Sequence, residues 1–289
     1  MLLIADSGST KTHWRLVDED GTTITKVKTE GLNPYFLTTK EIANIVEVKV
    51  LPSVRDVDKV FFYGAGCGSA AKADQVKEAL AVIPAKLEPE VAGDMLGSAR
   101  SLLQDNPGIA CILGTGSNSC CYDGRDIVNV MPSLGYMFSD WGSGTVMSKD
   151  LIALVLQERL PSELLKDFQE TYQMGRVEIL DNIYNKPMPN RFLASFTPFL
   201  LKYSEEPSCR DIITANFRNF FSYYVLRYPE ARQGATKVSF TGSIAHKFQQ
   251  YLLEVAEMMD IVIDRIVQHP MDGLVLYHSV TAPAARQIR

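Results

Sequence analysis

The sequence predicts an α/β protein with two lobes. Two segments far apart in the chain share one order of strand, glycine-hydroxyl turn, strand and Asp-Gly turn. Helical patterns accompany them, and 289 residues are enough to form two hydrophobic cores. The repeated order indicates an internal duplication, with two unrelated hairpins as the alternative.

The first of these segments opens the chain. The apolar strand Leu2–Ala5 leads into Asp6 and the turn Ser7-Gly8-Ser9-Thr10-Lys11, and a second strand, Thr12–Val17, precedes Asp20-Gly21. The N–H groups and hydroxyls of such a turn can surround phosphate oxygens. Asp6 is a carboxylate of the kind that holds Mg²⁺ directly or through water, and Lys11 adds a positive charge. An ordinary hairpin turn with a capping Asp is the alternative.

The second segment has the same organisation. A buried strand, Ile109–Leu113, is followed by the turn Gly114-Thr115-Gly116-Ser117-Asn118, by Ser119–Tyr122 and by Asp123-Gly124. Asp-Gly suits a hairpin because it tolerates positive φ. The two segments together predict two phosphate-binding hairpins, one from each half of the chain.

Two further glycine turns are weaker signals. The strand Lys237–Phe240 leads through Thr241-Gly242-Ser243 into a helical pattern, Ile244–Met259. The N–H groups at a helix start suit an anion or a ribose, and a plain connection with a Ser cap is the alternative. Gly64-Ala-Gly-Cys-Gly68 follows a strand but has Ser69 in place of the third glycine of a dinucleotide-binding fingerprint, and no P-loop motif occurs.

Asp94 is the candidate general base. It is the last residue of Val91-Ala-Gly-Asp94, which ends a strand-like segment, and Met95–Leu103 has the apolar spacing of a helix. A carboxylate at the carboxyl end of a strand lies where open α/β sheets bind ligands. Phosphoryl transfer needs a group that orients and deprotonates the attacking hydroxyl. A helix cap is the structural alternative.

Composition and charge exclude several classes of function. The formal net charge is −5 without a lysine or arginine run, so nucleic acid and anionic membranes are not expected partners. No apolar run approaches the ~20 residues of a membrane span, and the amino terminus lacks signal-peptide features, so the predicted location is the cytoplasm. The 5 cysteines and 4 histidines lack metal-ligand spacing, and we expect the cysteines to be small core residues.

The segment of about 148–232 is predicted to be mostly helical. Its helical patterns are Lys149–Leu160, Ser162–Met174 and Arg210–Tyr228. The aromatic residues of the last pattern have helical spacing, which indicates a core face or a dimer face rather than a cofactor site. Just before this segment, Asp140 precedes Trp141-Gly142-Ser143-Gly144, which is predicted to be flexible and too polar for the core.

Six motifs resemble the N-acetylglucosamine kinase-like and BadF/BadG/BcrA/BcrD ATPase family of the acetate/sugar kinase, Hsp70 and actin superfamily. In the family's order they are Asp6–Thr12, Tyr63–Cys67, Gly93-Asp94, Gly114–Asn118, Gly135–Gly144 and Phe240–Ala245. The resemblance implies an α/β fold of two ribonuclease-H-like (actin/hexokinase-type) lobes around a cleft for ATP and Mg²⁺. The lobes would span 1–108 and 109–270, with a helical insertion at about 148–232, and 271–289 would pack back on the first lobe.

The resemblance also implies roles for individual residues. Asp6 would organise Mg²⁺, and Asp94 would be the catalytic base. The residues expected to bind ATP phosphates are Ser7, Gly8, Ser9, Thr10, Lys11, Gly114, Thr115, Gly116 and Ser117, with Gly242 and Ser243 against the adenosine. The residues expected to bind the sugar or shape its pocket are Asn33, Asp94, Thr115, Asn118 and Asp140.

The implied activity is ATP-dependent phosphorylation of an amino-sugar hydroxyl, as in N-acetylglucosamine kinases, with a small-molecule sugar as partner. Leu134, Tyr136 and Trp141 stand where those kinases typically carry Trp, His and Glu, which puts the identity of the sugar in doubt. One alternative is an ATPase that drives a partner enzyme through a cysteine-bound cluster, for which Cys67 and Cys111 are the candidates. The other is a non-catalytic sugar or nucleotide sensor. The sequence does not determine which hydroxyl is phosphorylated, and it leaves open whether the protein forms a homodimer.

Overall fold

A computed structural model describes residues 1–233 and 236–279 and divides the chain into two compact units. Within the described residues, unit 1 comprises Met1–Ala110, Tyr122–Val128 and 269–279, and unit 2 comprises Cys111–Cys121 and Asn129–Gln268. The predicted lobes, 1–108 and 109–270, do not include this return of residues 122–128 to the first unit. Of the predicted final segment 271–289, residues 280–289 lie outside the described residues.

Two five-stranded sheets form the framework. Their strands are β1 (Leu2–Ser7), β2 (Lys11–Val17), β3 (Thr23–Glu30), β4 (Lys59–Gly64), β5 (Glu90–Gly93), β6 (Gly108–Leu113), β7 (Ser117–Tyr122), β8 (Ile127–Val130), β9 (Val238–Thr241) and β10 (Ile263–Val267). The first sheet has the order β3-β2-β1-β4-β5 and the second the corresponding order β8-β7-β6-β9-β10. In the first sheet β1 is antiparallel to β2 and parallel to β4. The matching order agrees with an internal duplication.

Helices make up most of the remaining regular structure. They are α1 (Thr39–Lys49), α2 (Ala70–Leu80), α3 (Asp94–Leu103), α4 (Gly144–Leu156), α5 (Ser162–Tyr172), α6 (Arg176–Tyr184), α7 (Pro189–Ala194), α8 (Thr197–Lys202), α9 (Pro207–Tyr223), α10 (Ser243–Lys247), α11 (Gln249–Met258) and α12 (Met271–His278). Within the described ranges, no helix is both long and apolar enough to cross a membrane. All five cysteines are buried and none forms a disulfide within the described residues, as expected for small core residues.

Both faces of the first sheet are covered. Side chains alternate between the faces of a strand, and Trp14 and Leu16 of β2 point into the larger core with residues of α1 and α2. On the opposite face Ile4, Val17 and Tyr63 pack with the apolar residues of α12. Because β1, β4 and β5 are parallel, their carboxyl ends, where the candidate site residues lie, share one edge of this well-packed sheet.

The glycine-rich segment 141–144 is not flexible surface, so the prediction made for it is wrong. Gly142, Ser143 and Gly144 are buried. A Cβ added to Gly142 would lie 3.1 Å from the Cβ of Phe220 in α9, so the small residue permits close packing. Ser143 caps α4 by accepting a hydrogen bond from Val146 N–H at 3.2 Å, and α4 therefore begins before the predicted Lys149.

Two other helical predictions differ from the structure in detail. The pattern Ile244–Met259 is divided at Phe248 into α10 and α11. The predicted helix Arg210–Tyr228 is α9, which begins at Pro207 and ends at Tyr223. Its aromatic residues form a core face, since Phe217, Phe220 and Phe221 are buried, while Tyr223 is exposed.

Candidate functional site

The turn after β1 is closed by hydrogen bonds and packed against a second glycine. Gly8 N–H donates to the carbonyl of Lys11 at 3.0 Å. Gly31, which follows β3, donates its N–H to the carbonyl of Thr10 at 3.0 Å. A Cβ on Gly31 would lie 2.4 Å from the carbonyl oxygen of Gly8, so only glycine fits behind the turn. The turn leaves Thr10 and Lys11 exposed.

Ser7 supports this turn with its side chain. Its hydroxyl lies 2.8 Å from the hydroxyl of Thr12 and accepts a hydrogen bond from Leu32 N–H at 3.0 Å. The residue is 1% exposed. A contribution of Ser7 to phosphate binding would therefore come from its backbone rather than its hydroxyl.

Two carboxylates interact electrostatically at this edge of the sheet. Asp6 is the penultimate residue of β1, and Asp94 is the first residue of α3, with Gly93 in the N-cap position. Loss of hydration, followed by the negative charge of Asp94, raises the pKa of Asp6 to about 7. Loss of hydration also raises the pKa of Asp94, although a hydrogen bond from Met95 N–H opposes this effect. The pair would gain from a proton or a bound cation near neutral pH.

A divalent cation fits the surroundings of Asp6. Asp6 takes part in no ion pair within the described ranges, and Mg²⁺ prefers carboxylate oxygens while it keeps several waters. In residues 1–233 and 236–279 no group of three or more His, Cys, Asp or Glu side chains is arranged to hold a metal. Asp6 would therefore hold Mg²⁺ together with water and phosphate oxygens, not in a cage formed by the protein alone.

The loop Gly64–Gly68 runs between Asn33 and the start of α3. Gly66 has φ +87°, and a Cβ on it would lie 2.4 Å from Asn33 Oδ1. A Cβ on Gly93 would lie 3.5 Å from the Cα of Gly68. Because Gly93 immediately precedes Asp94, this loop connects Asn33 with the candidate base inside unit 1.

The turn after β6 is fixed by the start of α4. The carbonyl of Gly114 accepts a hydrogen bond from Gly144 N–H at 2.9 Å. The carbonyl of Thr115 accepts two from Thr145, from the N–H at 3.2 Å and from the hydroxyl at 2.6 Å. The carbonyls of the turn are thus engaged by the helix, and unit 2 gains a turn of defined shape that contains no charged residue.

Asp140 lies against this second turn. It has a left-handed backbone, φ +59°, and its N–H donates to the Tyr224 hydroxyl at 3.0 Å. A Cβ on Gly116 would lie 3.1 Å from Asp140 Oδ2, and the carboxylate accepts a hydrogen bond from Ser117 N–H. Loss of hydration raises the pKa of Asp140 to about 6. The structure therefore brings Gly116, Ser117 and Asp140 together.

The third glycine turn lies beside the end of β6. Gly242 has φ +118°, and a Cβ on it would lie 2.1 Å from the carbonyl oxygen of Leu113. Gly242 occupies the N-cap position of α10, and Ser243 is the first helical residue, so the alternative of a Ser cap is wrong. Asn118 lies on β7 beyond the turn and accepts a hydrogen bond from Ser119 N–H at 2.8 Å with its own Oδ1.

Sequence reasoning missed two residues that shape these turns. Gly31 could have been recognised as the glycine that ends the alternating strand β3. Tyr224, which fixes the backbone of Asp140 from 84 residues away, has no local signal.

Comparisons with known proteins agree on the fold. The model of the BadF/BadG/BcrA/BcrD ATPase family matches residues 5–271. A solved structure from Porphyromonas gingivalis, described as a "putative N-acetylglucosamine kinase", is 39% identical; the alignment covers 96% of this chain and 98% of that one, with a TM-score of 0.91.

Two more distant structures share the fold. A "putative N-acetylglucosamine kinase" from Chromobacterium violaceum is 16% identical, with coverage of 96% of this chain and 98% of that chain and a TM-score of 0.72. A ROK family glucokinase from Streptomyces griseus, in complex with glucose and AMPPNP, is 14% identical, with coverage of 99% of each chain and a TM-score of 0.54. A comparison with curated proteins found no match.

Proposed function

Because the chain belongs to the BadF/BadG/BcrA/BcrD ATPase family, we propose that it is an ATP-dependent sugar kinase. Its acceptor is a hydroxyl of an amino sugar of the N-acetylglucosamine type. The observation that carries the proposal is the electrostatic coupling of Asp6 and Asp94 at the sheet edge that also bears the turn Gly8–Lys11. The similarity to the P. gingivalis protein, described as a "putative N-acetylglucosamine kinase", supports the choice of acceptor.

Asp94 is the proposed general base. It takes the proton of the sugar hydroxyl while the hydroxyl oxygen attacks the γ-phosphorus of ATP and ADP leaves. A base is most effective when its pKa lies near the working pH, and loss of hydration moves the pKa of Asp94 in that direction. The hydrogen bond from Met95 N–H holds the carboxylate at the start of α3, so the base has a fixed position.

The two hairpin turns are the proposed phosphate-binding elements. In unit 1 these are Gly8, Ser9, Thr10 and the charge of Lys11, with the backbone of Ser7; in unit 2 they are Gly114–Ser117. Mg²⁺ held by Asp6 would neutralise charge on the phosphates. Gly242 and Ser243 are assigned to the adenosine.

The remaining residues are assigned to the acceptor. Asn33, Thr115, Asn118 and Asp140 are proposed to bind the sugar or to shape its pocket. The partner is a small molecule and not nucleic acid or membrane, and we propose a cytoplasmic location. A homodimer is not assigned.

The alternative of an ATPase that drives a partner through a cysteine-bound cluster receives no support from the thiols. Cys67 and Cys111 are buried. Loss of hydration raises the pKa of Cys67 to about 12 and raises that of Cys111 well above its ordinary value. A cluster needs thiolates that iron can reach, and burial works against this at both residues.

The test is Mg-ATP consumption by the purified protein with N-acetylglucosamine, N-acetylmuramic acid, glucosamine, N-acetylmannosamine and glucose. Strong stimulation by one amino sugar is expected and identifies the acceptor. ATP hydrolysis that no sugar changes would contradict the kinase and favour the partner-driving ATPase. ATP binding without turnover under every condition would instead favour the sensor.

A further inference from the structure

The loop Asn33–Leu37 has a backbone held by hydrogen bonds within the loop. The side-chain Oδ1 of Asn33 accepts a hydrogen bond from Tyr35 N–H at 2.9 Å. The carbonyl of Asn33 accepts bonds from Phe36 N–H at 3.0 Å and from Leu37 N–H at 3.1 Å. One residue therefore closes the loop with both its side chain and its backbone.

Helix α2 holds the same loop from outside. Lys72 Nζ donates to the carbonyl of Pro34 at 2.7 Å and to Gln75 Oε1 at 3.0 Å. Gln75 Nε2 donates to the carbonyl of Leu37 at 2.8 Å. Because two side chains of one helix bind the loop at both its ends, its backbone is fixed before a ligand arrives.

Tyr35 is nevertheless one of the most exposed aromatic side chains. It is 66% exposed, although Lys72 Nζ lies 4.9 Å from its ring centroid. Its ring also lies against the glycine loop Gly64–Gly68, since a Cβ added to Gly66 would be 3.1 Å from Tyr35 Cδ2. An aromatic surface that is held in place but left open is a preformed contact surface, which reduces the entropic cost of binding.

The glycine loop links this ring to the proposed acceptor residues. Gly66 meets both Asn33 and Tyr35, and Gly68 meets the residue before Asp94. Asn33 is 9% exposed, and across the described residues its side-chain amide nitrogen donates no hydrogen bond. Unit 1 thus presents a polar donor and an aromatic ring side by side on one loop, and the neighbouring glycine loop runs from there to the residue before the base.

We propose that Tyr35 is a specificity-determining residue whose ring packs against the apolar C–H face and the N-acyl group of the acceptor sugar. The inference rests on the proposed function. A sugar ring offers polar hydroxyls at its edge and C–H groups on its face, so a donor beside an aromatic ring matches both. The N-acyl methyl group adds apolar area, and the ring therefore favours N-acylated amino sugars over glucose and glucosamine.

The experiment compares Tyr35→Ala, Tyr35→Phe and the matched control Phe36→Ala in the full chain. Phe36 is the neighbouring aromatic residue and is 59% exposed. The measurements are kcat, KM for the best amino sugar, KM for ATP, and binding of that sugar without nucleotide by calorimetry. We expect Tyr35→Ala to raise KM and the dissociation constant for the sugar about tenfold. Tyr35→Phe, Phe36→Ala and every KM for ATP should stay close to wild type.

A comparison of N-acetylglucosamine with glucosamine sharpens the test, since the loss in Tyr35→Ala should be smaller for the sugar without the acyl group. Unchanged sugar binding by Tyr35→Ala would overturn the inference, as would an equal loss in Phe36→Ala. A raised KM for ATP in Tyr35→Ala would also contradict it. If the wild-type protein neither binds nor turns over any amino sugar, the proposed function fails first, and the inference fails with it.

Discussion

The turns after β1 and β6 occupy corresponding places in two sheets of the same strand order, yet they differ in charge. The first carries Asp6 and Lys11 and is coupled to the carboxylate of Asp94. The second, Gly114–Ser117, has no charged residue, and its carboxylate neighbour, Asp140, comes from the loop before α4. The comparison teaches that the backbone frame is repeated, whereas the coupled pair of carboxylates, where we propose the acid-base chemistry, is found in one copy.

The strongest test of this difference is Asp94→Asn. If the chemistry belongs to unit 1, kcat should fall about 10²–10⁴-fold, because the hydroxyl loses its base. ATP binding should remain near wild type. Asp74→Asn, an exposed Asp in α2 of the same unit, is the matched control and should keep full activity. Turnover of Asp94→Asn within a few-fold of wild type would refute the assignment.

The second test asks whether each turn depends on a glycine from elsewhere in its unit. Gly31→Ala should cost about 1–3 kcal/mol through overpacking, and Gly242→Ala more, about 2–5 kcal/mol, because its positive φ adds strain. Gly114→Ala is the control, since its added Cβ would meet no heavy atom within 4 Å. Trp14 lies in unit 1 and Trp141 in unit 2. The tryptophan fluorescence of variants that keep only one of them can therefore follow the urea unfolding of each unit separately.

The third test uses the carboxylate of unit 2. The pKa of Asp140 is raised in the folded protein from its ordinary 3.8 to about 6. The stability that unit 2 gains from the protonated carboxyl of Asp140 is fully present below pH 3.8 and is lost as the pH rises through about 6. Asp140→Asn should therefore stabilise unit 2 at pH 7, by up to about 3 kcal/mol, while it weakens sugar binding.

Thermal unfolding between pH 4 and pH 8 checks this prediction. The stabilising effect of Asp140→Asn should grow from pH 4 to about pH 7 and then become constant. Asp181→Asn, also in unit 2, is the control of opposite sign, because side-chain hydrogen bonds from Asn185 and Lys186 lower the pKa of Asp181. A stabilisation by Asp140→Asn that does not depend on pH would rule out loss of hydration as the cause.

The smallest expected effect concerns Lys11, the positive charge that the first turn has and the second lacks. Lys11→Gln should raise KM for ATP about threefold to tenfold, with little change in kcat, because an exposed ammonium adds about 1 kcal/mol to phosphate binding. Lys28→Gln, an exposed lysine of β3, is the control. The effect should shrink at high ionic strength; equal effects of the two variants would indicate only a general influence of net charge.

Features that depend on local rules could be predicted from the sequence. The strand before Asp6, the two Asp-Gly turns and the helix that begins beside Asp94 all follow from apolar spacing and turn chemistry. The placement of Asp94 at the end of β5 is such a case, since strand and helix patterns meet there. The family was recognised from the resemblance of six short motifs, and two similar sheets were expected from the repeated order of strands and turns.

Features that depend on distant partners could not be predicted. The segment Gly142–Gly144 has the composition of a loop, but it is buried because Phe220 of α9 packs against it. The contact between Asp140 and Tyr224 and the return of residues 122–128 to unit 1 likewise join parts of the chain with no common local pattern. The burial that raises the pKa of Asp140 arises from such contacts, so the sequence motifs could not predict it.

Helix α12 has a consequence for the order in which a growing chain can fold. Met271, Leu274 and Val275 cover Ile4, Val17 and Tyr63, which leave the ribosome before any residue of unit 2. All of unit 2 lies between them in the chain. During synthesis, this apolar face of unit 1 therefore stays uncovered until all of unit 2 has been made. We expect the nascent chain to be most prone to aggregation just before residues 271–275 emerge.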